Sequence, residues 1–144
     1  MKLNFLVRAL YKKASEEDLD SIFHEVCSNF FYIATNRRSA QSASMYFVCL
    51  PPEKQAILLE QVGKNVLYRI CLDINGNNVI SEMFTTTVYE QQKFVDIMGV
   101  GLMQSMSKNR FGSHVAKRFS RVLKMKRLNA LQAAENKLSG VVGA

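Results

Sequence analysis

Asn75-Gly76-Asn77-Asn78-Val79-Ile80 and Phe111-Gly112-Ser113-His114-Val115-Ala116 are one pattern written twice, with their glycines 36 residues apart. A step of 36 back from Gly76 reaches Ala40, in Ala40-Gln41-Ser42-Ala43, and a further step reaches Asn4, ahead of Phe5-Leu6-Val7. Apolar columns keep the same offset: Val7, Ala43, Val79 and Val115; Tyr11, Phe47, Met83 and Phe119; Phe30, Val66 and Leu102; Phe31, Leu67 and Met103; Val26, Val62, Met98 and Ala134. Self-similarity at a fixed period of a few tens of residues marks a repeat architecture.

The boundaries recur too. Ser15, Pro51 and Thr87 stand 36 apart. Ser15-Glu16-Glu17-Asp18 and Thr87-Val88-Tyr89-Glu90 resemble capping boxes, and Pro51-Pro52 opens a helix because a proline's missing N–H costs nothing in the first turn. Asp73 and Asn109 are good residues for a second helix start. Each unit therefore reads as two helices. The first runs over about 16–33, 52–70, 88–106 and 124–138, and the second over about 2–12, 38–49, 74–85 and 110–122. Leu19, Ile22, Phe23, Val26 and Phe30 fall at steps of three and four, as do Ile57, Leu58, Val62, Val66 and Ile70, so the first helices are amphipathic. Such a unit cannot bury its apolar face alone, so units stack. The expectation is an all-α solenoid, one domain over 1–144, with units at 1–14 (partial), 15–50, 51–86, 87–122 and 123–144 (partial). First helices form one layer and second helices another.

At 144 residues, 48% hydrophobic and 22% charged, the chain can bury a core and does not read as disordered. Its apolar runs are too short for a membrane span, and Met1-Lys2-Leu3-Asn4-Phe5-Leu6-Val7-Arg8 is too interrupted for a secretory signal. Cys27, Cys49 and Cys71 are odd in number and form no C-x-x-C pair, which fits free buried thiols in a reducing compartment rather than disulfides or zinc.

Charge separates by helix. The first-helix segments 14–30, 52–66, 88–102 and 128–139 hold ten of the twelve acids and four bases; the remainder holds Asp73, Glu82 and fifteen bases. The layer of second helices should thus be strongly basic, and the formal net charge of +7 suggests a polyanionic partner. Residues 97–134 contain Lys108, Arg110, Lys117, Arg118, Arg121, Lys124, Lys126 and Arg127 and no acid. Lys117, Arg121 and Lys124 lie on one helix face, where like charges repel unless an external anion joins them.

A 36-residue helical unit whose second helix begins Gly-Ser-His-Val or Gly-Asn-Asn-Val resembles the Pumilio (PUF) repeat. Lys108-Asn109-Arg110-Phe111-Gly112-Ser113-His114-Val115 is the best match, and Leu72-Asp73-Ile74-Asn75-Gly76-Asn77-Asn78-Val79-Ile80 the next. The resemblance implies a right-handed α-solenoid of about four repeats, incomplete at both ends, that binds RNA without catalysis or cofactor along the concave face of its second helices. Carried over, the base-edge pairs are Asn77 with Ser81, Ser113 with Lys117, and Gln41 with Met45; the stacking positions are Asn78, His114 and Ser42. The first partial unit offers Phe5, Leu6 and Ala9.

The sequence departs from the family at the second edge position, where reading members carry Gln or Glu and this chain has Ser81, Lys117, Met45 and Ala9. That is nearer the divergent nucleolar PUF-like proteins of ribosome assembly. It implies a phosphate-led binder of ribosomal or other structured or single-stranded RNA, with little base code, in the nucleus, nucleolus or ribosome-associated cytoplasm. Lys117, Arg118, Arg121, Lys124, Lys126 and Arg127 would supply most phosphate contacts, and His114 and Asn78 would touch bases. The rival reading is a HEAT- or armadillo-like scaffold that docks on a protein of a ribonucleoprotein particle. Catalysis finds little footing: His24 and His114 are the only histidines, and Gly99 and Gly101 interrupt a helix without a following Gly-Lys-Ser/Thr.

Overall fold

The structure is a computed structural model that describes residues 12–85 and 88–142. Every regular element among them is a helix: α1 (Glu16–Ser28), α2 (Phe30–Thr35), α3 (Ala40–Cys49), α4 (Pro52–Val62), α5 (Lys64–Cys71), α6 (Gly76–Thr85), α7 (Val88–Ser107) and α8 (Gly112–Val142). The starts of α3, α6 and α8 stand 36 residues apart. Residues 1–11, with the columns at Val7 and Tyr11 and the positions Phe5, Leu6 and Ala9, lie outside the described residues, as does the cap at Thr87.

Local chemistry explains the starts. Ser15 Oγ accepts from the Asp18 amide at 3.2 Å and caps α1. Pro51 and Pro52 open α4. Asp73 Oδ2 accepts from the amides of Asn75 and Gly76 at 2.8 and 2.9 Å, and Asn109 Oδ1 accepts from those of Phe111 and Gly112 at 2.9 and 3.0 Å. The same turn thus leads into α6 and α8. Gly76 and Gly112 close it for the same reason: a Cβ on Gly76 would run into the carbonyl oxygen of Ile70, and one on Gly112 would lie 2.8 Å from that of Met106.

Three expected boundaries are corrected. The helices expected at 16–33 and 52–70 are each broken in two. Asn29 (φ −115°, ψ 14°) separates α1 from α2, and its side-chain amide competes for the Glu25 carbonyl at 2.9 Å. Gly63 separates α4 from α5 at φ 85°, and Gly99 kinks α7 at φ 76°, a region that favours glycine. The third correction is at the end of the chain. The helix expected at 124–138 is no separate element, because α8 runs unbroken through 31 residues. Leu123 occupies the column of Ser15, Pro51 and Thr87 and can neither cap nor break a helix, and residues 113–139 contain no glycine or proline.

The helices pack in two rows. One is α3 on α6 on α8; the other is α2 on α5 on α7, with α1 on α4 beside it. Within each unit the rows meet as α2 on α3, α5 on α6 and α7 on α8. The core between them repeats as the helices do. Ala43, Val79 and Val115 are buried, as are Phe47, Met83 and Phe119, and Ala34, Ile70 and Met106 are each 0% exposed. The Phe84 ring joins three units, with centroids 5.9 Å from Phe47, 4.5 Å from Phe94 and 5.5 Å from Phe119. Burying each such side chain contributes roughly 1.5–3 kcal/mol. Polar ties fix the stacking register: Asn75 Nδ2 donates to the Thr35 carbonyl at 3.1 Å, Gln55 Nε2 to that of Phe47 at 2.9 Å, and Ser44 Oγ lies 2.8 Å from Glu82 Oε2.

Candidate nucleic-acid interface

The packing of α6 beside α8 leaves a cavity of about 510 Å³, lined by Ile74, Asn77, Asn78 and Ser81 on one wall and by Phe111, His114, Lys117, Arg118 and Arg121 on the other. Both walls follow from helical periodicity, since residues at i, i+3, i+4 and i+7 share a face. The turn residue Ile74 leads Asn77, Asn78 and Ser81 in that spacing, and His114, Lys117, Arg118 and Arg121 repeat it. Asn77, Asn78 and Ser81 stand 36 residues before Ser113, His114 and Lys117. Two of these pairs, Asn78 with His114 and Ser81 with Lys117, line the same space.

The walls differ in charge. The α6 wall is neutral and the α8 wall carries three cations; no acid lines the cavity. Lys117, Arg118, Arg121 and His114 are exposed, and the three cations form no ion pair with another described residue. Lys54, by contrast, meets Asp20 at 3.3 Å.

Other expected positions fall less simply. Asn77 is buried, and its Nδ2 donates to the carbonyls of Asp73 and Ile74, each at 2.8 Å, so its donor is spent on its own turn. Ser81 is buried and lines the cavity beside Asn77 and Asn78. Ser113 donates to the Arg110 carbonyl at 3.0 Å and lines a smaller neighbouring cavity of about 290 Å³ with Ser107, Ala116, Lys117, Ser120 and Arg121. Gln41, Ser42 and Met45 lie on α3, away from the main cavity. The backbone of Lys124, Lys126 and Arg127 continues α8, and their side chains lie outside the described ones.

The layer of second helices is not basic throughout. Helix α3 has no charged residue and α6 has only Glu82, so among the described residues of that layer the positive charge is concentrated on α8 and on the turns that hold Arg37, Arg38, Lys108 and Arg110. Two wall residues escaped the sequence reading, Ile74 and Phe111. Both lie in the turns before the glycines, within the two quoted repeats, and their place in the pattern was the available signal. The guanidinium of Arg110 stands 5.5 Å from the centroid of the Phe111 ring.

Elsewhere the chemistry is quiet. The cysteines are free. Burial pushes the Cys71 thiol far up, and it raises Cys27 also, against the lowering charge of Lys54. His24 is exposed on α1. Among the described residues no group of three or more His, Cys, Asp or Glu side chains could hold a metal ion, and no helix is long and apolar enough to cross a membrane. In comparison with known proteins, the chain matches no family model, no curated protein and no solved structure.

Proposed function

We propose that this chain is a right-handed solenoid of about four Pumilio-like repeats that binds RNA through the groove between α6 and α8. Binding is led by phosphate contacts, carries little base code and involves no catalysis. The observation that carries the reading is the exposed stripe of Lys117, Arg118 and Arg121 beside His114, without ion pairs among the described residues, facing the related neutral face of the preceding unit. Exposed, uncompensated cations on one side of a groove suit a polyanion, and RNA contacts of this kind release counterions. Low base specificity is supported by Lys117 at an edge-reading position, where an ammonium reaches a phosphate more readily than a base edge, and by the Asn77 amide, already committed to its own turn. A stacking contact remains open to His114 and Asn78, both exposed. Ribonucleoprotein assembly, including that of the ribosome in the nucleolus, is the setting such a binder would serve.

The test is fluorescence anisotropy of the purified chain with single-stranded and structured RNA across a salt series. Submicromolar binding at low salt that falls steeply with salt and varies little with sequence supports the reading. Weak binding, matched by an unrelated basic protein, replaces it with the protein-docking scaffold.

A further inference from the structure

We infer that the α6–α8 cavity receives a phosphorylated end of an RNA strand, a terminal phosphomonoester, in preference to an internal stretch of backbone. The inference rests on the RNA-binding reading and narrows its ligand. A space of about 510 Å³ is of the size that holds one compact ligand, within the usual range of ~300–1,000 Å³. Three cations line that space, Lys117, Arg118 and Arg121, two of them shared with the smaller cavity beside it, and no acid lines either one. An internal nucleotide brings a single negative charge to such a volume. A terminal phosphomonoester brings about −1.5 to −2 near neutral pH, with three strong acceptor oxygens. Charge matching and the number of acceptors both favour the end.

The layout of the walls agrees. The cations share one face of α8, and the opposite wall is built from Ile74, Asn77, Asn78 and Ser81. A terminal nucleotide would set its phosphate against α8 and its sugar and base against a neutral, mostly polar surface that carries one apolar residue, Ile74. An ammonium and two guanidiniums supply many donors for the phosphate oxygens, and guanidiniums hold phosphate in two-pronged fashion. Arg118 and Arg121 lie three residues apart and Lys117 is adjacent, so all three project from little more than one turn of α8.

Competition binding tests this with one oligoribonucleotide sequence in three forms: a 5′-phosphate, a 3′-phosphate, and hydroxyls at both ends. A fourth competitor, hydroxyl-ended but two nucleotides longer, matches the total charge of the phosphorylated forms. One phosphorylated form should bind roughly tenfold more tightly than the hydroxyl-ended strand, and the longer competitor should not match it. The preferred form identifies which end is held. Lys117→Gln with Arg121→Gln should lower the affinity for every form and, read as the ratio between forms at low salt, bring the phosphate preference close to one, with unchanged helicity. Equal affinity for all forms overturns the inference and leaves the RNA-binding reading standing. A preference that survives in the variant also overturns it, because the phosphate would then be held elsewhere. No binding of any strand at low salt overturns both.

Discussion

Gly63 and Gly99 stand 36 residues apart and hold the same backbone conformation, φ 85° and ψ 159° at the first, φ 76° and ψ 162° at the second. Each bends a first helix at the same point of its unit. Nothing lies within 4 Å of where a Cβ would be at either residue, so an added methyl meets no neighbour and the penalty is purely conformational. Gly99→Ala should therefore destabilise by about 1–3 kcal/mol. Thermal unfolding followed by circular dichroism measures this, and an unchanged midpoint would show that the kink is not required.

Gly112 is constrained by space instead. A Cβ there would sit 2.8 Å from the Met106 carbonyl oxygen and 2.9 Å from Leu72 Cδ2. Leu72 can shift, but the backbone oxygen cannot without opening the turn held by Asn109. Gly112→Val should cost about 1–3 kcal/mol or more. The expected readout is a lower unfolding midpoint in urea.

The Phe84 ring contacts aromatic partners on α3, α7 and α8. Phe84→Ala removes a ring that meets aromatic partners on all three helices and should cost about 3–5 kcal/mol. Ile22→Ala, at a half-buried position of α1, should cost visibly less. Equal losses would argue against Phe84 as the centre of the core.

Lys117→Glu with Arg121→Glu reverses two exposed charges on the α8 wall. RNA affinity at low salt should fall by roughly tenfold or more, and the slope of log affinity against log salt should shrink by about 1.4, at ~0.7 for each phosphate contact on a single strand. Helicity should be unchanged, since both side chains are exposed. Anisotropy titrations at several salt concentrations read the slope directly.

The Cys71 thiol is held well above its ordinary value of 9.0 by burial. The native protein should thus react slowly with a thiol reagent at Cys71 at pH 8 and fully in denaturant. The sign of the linkage follows from the same shift. As pH rises past 9 the unfolded chain loses this proton before the folded one does, so stability from this group is complete below that pH and declines above it. Urea midpoints at pH 8 and pH 10, compared with those of Cys71→Ala, isolate the effect, and an identical decline in the variant would rule it out.

The helical class was legible because apolar residues recur at 36 over most of the chain and at three and four within each helix. The turn chemistry at Asp73 and Asn109 was legible because capping is local. The breaks at Asn29 and Gly63 were not, since the apolar spacing runs through both without a change of phase. The unbroken α8 was missed for the opposite reason. The period called for a boundary at residue 123, but no capping or breaking residue stands there. At the α6–α8 cavity, Lys117, Arg118 and Arg121 could be named from the acid-free run of bases, and Asn78 and His114 from the resemblance of the two quoted repeats. The burial of Asn77 and the loss of its amide to Asp73 and Ile74 could not, because they depend on how the turn closes.

The amino-acid sequence by itself determined the repeat, the helices it produces and the surplus of positive charge late in the chain. All three follow from local spacing, capping and counting. Only the tertiary structure decided what that charge faces. Stacking α6 against α8 sets Lys117, Arg118 and Arg121 opposite the neutral face of Asn77, Asn78 and Ser81, whereas α3, one place further along the same row, contributes no charge at all. A charge count has no direction. A helix face acquires one only when its neighbour is packed beside it.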